Sequence, residues 1–305
     1  MCYENLIKAL AFFDLFDQPL TKDEVLKYAW GFASSSLPEE RSASPEGGLR
    51  GVGEKDGFYF LTGREEIVKK RQERQNDLEK KLKIAKRAVK KLRWVPFLQA
   101  VFLCNNLALG TADKDSDIDI FIVARDGRIW MARFFATLFL QIFFLRRHGR
   151  KVKNRVCLSF YISDKYLNLR EIRIEPPDAY LVYWLASLIP VYDPAGIFKK
   201  VKQANQWILE YVPNGFIDVE VGKNVKVDDD KFSKLFKKAL EKMWQGSYGN
   251  LIENQLREIQ KTKMKMNLHS KQNENNNDVV INDKMLKFHE NDRRKYYQDL
   301  WKKSC

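Results

Sequence analysis

The 20 residues from Cys104 to Val123 constrain the fold of this chain more than any other segment. An apolar, strand-like run at 100–103 leads into a polar turn, and a second strand then opens with Asp117-Ile118-Asp119. Residues two apart in a strand point to the same face. Asp117 and Asp119 are therefore expected to aim together, while the isoleucines that alternate with them face a core. Carboxylates converging at the mouth of a buried strand bind hard cations such as Mg²⁺, usually together with substrate phosphates. The alternative is that Asp115, Asp117 and Asp119 are solvated acids of a loop and a strand edge.

The segment resembles the signature of the DNA polymerase beta-like nucleotidyltransferases. In that family Gly-Ser and a short helical turn precede an Asp-hydrophobic-Asp pair, and the run 115–119 (Asp-Ser-Asp-Ile-Asp) matches the second half. The resemblance implies that Asp117 and Asp119 are catalytic and hold Mg²⁺ or Mn²⁺. It also implies that the nucleotide is contacted by Asn105, Asn106, Gly110 and Ser116.

Two positions depart from the family pattern. Asn105-Asn106 stands where the family has Gly-Ser; Asn still donates hydrogen bonds and tolerates unusual backbone angles, but its Cβ lies where the family's backbone approaches the triphosphate. The family's third carboxylate comes from a later strand, which here corresponds to 154–162 and carries no acid. Ser159 is the expected occupant of that position, and the acids that remain open as a third ligand are Asp164, Glu175 and Asp178.

The resemblance implies an α+β fold and a magnesium-dependent transfer of a nucleoside monophosphate from a nucleoside triphosphate (NTP) to a hydroxyl acceptor. The acceptor is a nucleic acid or a small molecule, and the two departures are expected to weaken the activity. The alternative is a catalytically inactive transferase fold that binds nucleotide or nucleic acid. No phosphate-binding loop GxxxxGK[ST] and no GxGxxG fingerprint occurs in the chain.

Four regions are expected along the chain. Residues 1–63 resemble a winged-helix module, in which Thr21 and Glu24 form a capping box, although 33–53 indicates a loop where a third helix is required. A long basic helix covers 64–95, and a transferase-like core with a small mixed sheet and flanking helices covers 96–213. The region 214–305 is helical and basic, with one helix at 231–264 and a low-complexity linker near 271–279. The whole chain resembles prokaryotic proteins with a nucleotidyltransferase domain, through cues at 12–17, 57–61 and 288–292.

The net charge of +14 is concentrated in a few segments. Residues 64–93 hold 13 basic against 5 acidic residues, and 231–305 hold 17 against 9. A third segment, 144–155, holds six basic residues and no acid. Such a distribution is typical of proteins that bind polyanions, so nucleic acid contacted by the basic helices is one expectation. Helix faces that are simply solvated are the equal alternative.

The remaining expectations concern compartment and membrane. Four dispersed cysteines argue against a disulfide framework and a zinc site and favour a reducing, cytoplasmic setting. Cys104 and Cys157 are expected to be core residues, and the three isolated histidines do not indicate a histidine centre. The apolar segment 129–145 carries Arg133, Thr137 and Gln141 as a polar stripe, so we expect a buried helix and no membrane insertion. A peripheral membrane or regulatory partner, built on this helix and the basic tail, is a third hypothesis.

Overall fold

A six-stranded mixed sheet organises the chain in the computed structural model, which describes residues 3–31, 51–217, 225–266, 277–289 and 291–304. The strands are β1 (Leu20–Thr21), β2 (Val52–Lys55), β3 (Phe58–Leu61), β4 (Leu98–Leu103), β5 (Ile118–Ala124), β6 (Val156–Ser163), β7 (Ile189–Tyr192), β8 (Val279–Ile281) and β9 (Met285–Phe288). The helices are α1 (Tyr3–Asp14), α2 (Lys22–Tyr28), α3 (Glu66–Leu92), α4 (Asn105–Leu109), α5 (Ile129–Ile142), α6 (Ala179–Ser187), α7 (Ile197–Ala204), α8 (Lys231–Met243), α9 (Gly246–Lys265) and α10 (Arg294–Ser304).

The sheet has the order β7-β4-β5-β6-β9-β8. Only β5 and β6 run parallel, and α5 lies in the connection between them; the other neighbours are antiparallel. A parallel pair needs a long crossover, usually a helix, which is why the apolar segment at 129–142 is a helix against the sheet. The α+β class and the mixed sheet are confirmed.

Strand β5 is the centre of the core because both of its faces are buried. Ile118, Ile120 and Ile122 pack on one side, as the alternation in the sequence predicts, and Phe121 and Val123 pack on the other. Helices α3 and α5 cover the isoleucine side, and α1, α6 and α10 cover the phenylalanine side. A strand buried on both faces cannot shift its register without exposing apolar side chains, so the position of Asp117 and Asp119 is well fixed.

The N-terminal residues form a small sheet of order β1-β3-β2, against which α1 packs. The predicted capping box is confirmed: Glu24 N donates to Thr21 Oγ1, and Thr21 N donates to Glu24 Oε2 at 2.8 Å. Phe12 of α1 packs on Tyr183 of α6 with ring centroids 4.3 Å apart. The segment 32–50, which includes most of the expected loop, lies outside the described residues, and the winged-helix interpretation stays a prediction.

The C-terminal region contributes strands as well as helices. The single helix expected at 231–264 is wrong: Trp244 and Gln245 interrupt it, and Gly246, with φ of +65°, begins α9. Strand β9 then pairs with β6 and extends the central sheet, so sheet bonding crosses the expected boundary at 213/214. The four domain ranges stay predictions, and 271–276 of the expected linker lie outside the described residues.

Helix α9 is attached to the start of α5 by a buried carboxylate. Glu253 accepts hydrogen bonds from Trp130 N and Met131 N, both at 2.9 Å, so it caps two free amides of the first turn of α5. Burial raises the pKa of Glu253 to about 7, whereas an unfolded glutamate titrates at about 4.3. The native state therefore holds this proton to higher pH than the unfolded state does.

We expect a pH-dependent loss of stability that depends on Glu253. Its contribution is complete below about pH 4 and is lost as the pH rises through about 7. The free energy of unfolding should therefore fall from about pH 5 to about pH 8 by about 1–3 kcal/mol more in the wild type than in Glu253→Gln. Urea titrations at several pH values measure this. The exposed neighbour Glu258→Gln is the control, and parallel curves for wild type and Glu253→Gln contradict the prediction.

Candidate metal and nucleotide site

Asp117 and Asp119 meet one further side chain at the entrance of β5. The carboxylates, here called the carboxylate pair, lie beside Cys157 of β6, and one ligand atom from each of the three residues lies within 4.8 Å of the others. Asp119 is directly opposite Cys157 in the parallel register. The expectation that the two carboxylates share a face therefore holds in the structure, and this group could hold a cation.

Cys157, rather than Ser159, lies beside the two carboxylates. The register passes from Asp119↔Cys157 to Phe121↔Phe160, so β6 contains one residue more than β5 over this interval. Such a bulge re-aims the side chains next to it. Ser159 consequently lies against His289, with Oγ and Nε2 3.4 Å apart. The expectation that Cys157 is only a core residue is wrong, because its side chain lines the cleft described below.

The acids left open as third ligands lie elsewhere. Asp164 follows the opposite end of β6, where its carboxylate accepts from Asp126 N at 3.0 Å. Asp178 is fully buried and paired with Arg294, and Glu175 is exposed and paired with Lys302. None of the three belongs to the group formed with Cys157 among the described residues.

The turn before the carboxylate pair is closed by asparagines. Asn105 has φ of +52°, in the left-handed region that Asn tolerates better than most residues. Its side chain hydrogen-bonds Asp119. The backbone oxygen of Asn106 accepts from Thr111 N at 2.8 Å and from Ala112 N at 3.1 Å. Both asparagines line the cleft, so the two residues that replace Gly-Ser close the turn and position a carboxylate.

Gly110 and Ser116, predicted to touch nucleotide, have structural roles and are not among the residues lining the cleft. Gly110 is the C-cap of α4, with φ of +74°, and a Cβ there would lie 3.1 Å from Gln18 Nε2. Ser116 Oγ donates to Asp113 Oδ1 at 2.7 Å within the turn. Of the four residues predicted to contact nucleotide, Asn105 and Asn106 thus line the cleft, whereas Gly110 and Ser116 support the backbone next to it.

A buried lysine, which sequence reasoning missed, anchors this turn. Lys81 of α3 is fully buried; its Nζ donates to Ser116 O at 2.6 Å and to Asn154 Oδ1 at 2.9 Å. It therefore holds the backbone of Ser116, the residue just before Asp117, against helix α3. Lys81 is one of many lysines in a basic helix, so the sequence carries no signal that distinguishes it.

The negative charges of the carboxylate pair are only partly balanced within the chain. Burial, and then the neighbouring Asp117 charge, raise the pKa of Asp119 to about 6. Arg147 Nη1 donates to Asp117 Oδ2 at 2.5 Å and balances one of the two charges. Burial and Asp119 raise the pKa of the Cys157 thiol to about 12, so this sulfur is protonated near neutral pH.

Removing one of these charges should stabilise the fold. Asp119→Asn keeps the size of the side chain and is expected to raise the free energy of unfolding in cation-free buffer by about 1–2 kcal/mol, because a charge is then no longer buried next to Asp117. Thermal or urea unfolding in the presence of a chelator measures it. Asp115→Asn, in the same turn but largely exposed, should change little; a clear loss of stability in Asp119→Asn contradicts the argument.

A cleft with a volume of about 1010 Å³ opens beside the carboxylate pair. Its wall comes from distant parts of the chain: Phe16 and Asp17 after α1, α5, β6, α6 and the residues after β9. It is rich in cationic side chains, namely Arg74, Arg133, Arg146, Arg147, Lys287, Arg293 and Arg294. Four acidic side chains, Asp17, Asp113, Asp119 and Asp292, line it as well. The seven cationic side chains outnumber them, so the cleft can receive an anionic ligand.

Three of these arginines keep unused donors. Nε of Arg74, Nε of Arg133 and Nη2 of Arg294 are buried and have no hydrogen-bond partner among the described residues. Buried donors are nearly always satisfied in native proteins, so such atoms call for an explanation. An anionic ligand in the cleft would provide acceptors for them.

His289 is the second residue that sequence reasoning missed. It reaches the cleft because β9 pairs with β6, although the two strands are far apart in sequence. Burial, and then Lys287, lower the pKa of His289 to about 3. The imidazole is therefore neutral and can hydrogen-bond a ligand, but it does not neutralise phosphate. In the sequence, His289 is distinguished only by the resemblance at 288–292.

Part of the basic charge of α3, and of Arg64 just before it, is used within the chain. Arg71 pairs with Glu24 at 2.6 Å, and Arg64 pairs with Asp14 and Asp17 at 2.8 and 2.6 Å. Arg74 donates to Phe16 O at 3.1 Å. These residues attach α3 to the N-terminal part, so the charge count of the helix overstates what is open to a nucleic acid.

Comparison of the chain with protein-family models, with curated proteins and with solved structures gave no match. No helix of the described residues is both long enough and apolar enough to cross a bilayer.

Proposed function

We propose that this chain is a magnesium-dependent nucleotidyltransferase with a polymerase beta-like core. It would move a nucleoside monophosphate from an NTP to a hydroxyl acceptor. The observation that carries the proposal is the carboxylate pair next to an arginine-rich cleft. The order β4, short α4, β5, crossover helix α5 and parallel β6 supports the fold assignment.

The donor set fits Mg²⁺ or Mn²⁺ bound jointly by protein and substrate. Asp117 and Asp119 offer hard oxygen ligands, and Mg²⁺ usually takes one or two protein carboxylates and completes its shell with waters and phosphate oxygens. The protonated thiol of Cys157 is a poor ligand for a hard cation. When bound, the cation would supply charge neutralisation and orientation at the transferring phosphate.

The chain's own residues would bind and orient the NTP. Arg147, which pairs with Asp117 in the structure, can release that carboxylate and turn to phosphate. Asn105 holds Asp119 in place, and the arginines of the cleft would offset the triphosphate charge. Catalysis by orientation and electrostatics needs no covalent protein intermediate.

The second candidate function is a binding module without transferase activity. Cys157 favours it, because a neutral thiol stands where the resemblance places a third carboxylate. Such a module would use the same cleft for nucleotide or nucleic acid. Its affinity would depend on the arginines rather than on the carboxylate pair, and would fall with salt.

The test is calorimetric titration with each NTP, with and without Mg²⁺. We expect Mg²⁺-dependent binding to the wild type and a loss of at least about tenfold in affinity in Asp117→Asn. Asp115→Asn is the matched control, since it removes an exposed acid two residues away. Binding that ignores Mg²⁺ and Asp117, or no NTP binding at all, contradicts the proposal.

Transfer is tested separately with NTP labelled on the α-phosphate. The acceptors are an RNA pool, the chain itself and small hydroxyl compounds. Label moved to one of them by the wild type and not by Asp119→Asn supports the enzyme. Mg²⁺-dependent binding without any transfer favours the binding module.

A further inference from the structure

Helix α8 turns its polar face to the protein. Glu241 accepts from Phe97 N and from Arg125 Nη2, both at 2.8 Å, and Lys237 donates to Leu98 O and to Tyr192 Oη. At its start, Asp230 and Ser233 form a capping box. These bonds tie α8 to the β4 and β7 side of the sheet, and they fix its rotation about its own axis.

The opposite face of α8 is apolar and open. We call the side chains Phe232, Leu235, Phe236 and Met243 the apolar stripe; their spacing places them on one side of the helix. Phe232 is 77% exposed and Leu235 is 69% exposed, although Lys237 and Glu241 on the other side of the helix bond the protein. A surface helix of a globular protein ordinarily has the reverse arrangement.

The apolar stripe continues onto neighbouring elements. Phe236 packs edge-on against Trp94, just after α3, with centroids 5.4 Å apart. One turn earlier, Lys91 Nζ lies 4.1 Å from the ring centroid of Phe143, which follows α5. The adjacent Phe144 is 75% exposed. Apolar side chains from α8 and from the end of α5 thus lie against residues one turn apart at the end of α3.

Lysines border the apolar stripe. Lys231, Lys234, Lys238 and Lys242 are exposed and lie along one edge of the apolar stripe at helical spacing, and the acid within α8, Glu241, faces the protein. Lysine is depleted at protein–protein interfaces. At a lipid surface, by contrast, its aliphatic stem lies along the apolar layer and its ammonium reaches the headgroups.

We propose that α8 and the end of α5 form a docking surface for a bilayer that contains anionic phospholipids. The apolar stripe enters the boundary between headgroups and acyl chains, and the four lysines contact phosphate and carboxylate headgroups. The chain then lies on the membrane without crossing it. The proposal does not depend on transferase activity.

Vesicle flotation of the full chain tests this surface. We expect binding to vesicles of phosphatidylcholine with phosphatidylserine to exceed binding to phosphatidylcholine alone by more than about tenfold. The double variant Phe232→Gln/Leu235→Gln should lower the partition coefficient for anionic vesicles by about 100-fold, since two large side chains no longer enter lipid. Lys234→Gln/Lys238→Gln should lower it by about tenfold.

Two matched controls separate this surface from general effects. Tyr296→Gln removes an exposed aromatic ring from α10, which packs on α1 and α6 across the sheet, and Lys199→Gln/Lys200→Gln removes two exposed charges from α7. Neither should change vesicle binding. No binding of the wild type to anionic vesicles, or equal binding of the apolar-stripe variant, overturns the proposal. So does a dimer in sedimentation equilibrium that becomes a monomer in that variant, since a second copy then covers the stripe.

Discussion

Replacing Asp178 by alanine is expected to lower the free energy of unfolding by about 3–5 kcal/mol, because it leaves a buried guanidinium without its counter-charge. Asp178 is fully buried; it accepts from Arg294 Nη1 at 2.9 Å and from Leu181 N at 3.0 Å, and so also caps α6. Arg294 is held on its other side by Asp292, which in turn pairs with buried Lys287 at 2.7 Å. These four charges connect α10, α6 and β9, so the loss extends beyond one ion pair.

Glu175→Gln is the matched control for Asp178→Ala. Glu175 lies three residues away in sequence and pairs with Lys302 of the same helix α10 at 2.7 Å, but both side chains are largely exposed. An exposed pair contributes about 0–1 kcal/mol, so this variant should unfold almost as the wild type does. Urea titrations of both variants measure the difference. Equal, small losses would show that the buried network adds little to stability.

Replacing Cys157 by aspartate is expected to raise Mg²⁺ affinity by about 100-fold, because a third carboxylate then joins the carboxylate pair. Cys157 is opposite Asp119 in the register, so the new carboxylate reaches the same cation. Calorimetry with Mg²⁺ alone gives the affinity. The shift of the melting temperature on addition of Mg²⁺ gives a second readout, since a ligand of the native state stabilises it in proportion to the logarithm of its concentration.

Ser159→Asp is the informative comparison for Cys157→Asp. Ser159 is two residues further along β6 and is the position that the resemblance selects for the third carboxylate, but it follows the register shift and its side chain lies against His289. We expect no gain in Mg²⁺ affinity from Ser159→Asp, and none from Cys157→Ser. Equal gains from both aspartate variants would mean that the bulge does not separate the two positions.

The sequence predicts the parts of the site that depend on local pattern. Alternation places Asp117 and Asp119 on one face of β5, and the capping box at Thr21 follows from residue types three apart. Both are consequences of backbone periodicity, which any chain obeys. The same reasoning predicts the long helix α3.

The parts that it does not predict depend on contacts between distant residues. Alternation alone does not distinguish Cys157 from Ser159, and only the register of β6 with β5 shows that Cys157 lies opposite Asp119. His289 enters the cleft only through the pairing of β9 with β6. The apolar residues of α8 show the expected helical spacing, but spacing does not tell which face of a helix is turned to the protein.

Helix α3 connects the N-terminal part to the turn before the carboxylate pair as one continuous helix. Its Arg71 forms an ion pair with Glu24, and its Lys81 donates a hydrogen bond to Ser116 O. Arg71 and Lys81 are ten residues apart, which is about 15 Å along the helix axis. A helix of this kind transmits a tilt with little bending, so a movement of the N-terminal part relative to the sheet would displace the residue before Asp117. The spacing between the carboxylate pair and the opposite wall of the cleft therefore depends on α3, which contributes neither of the two carboxylates.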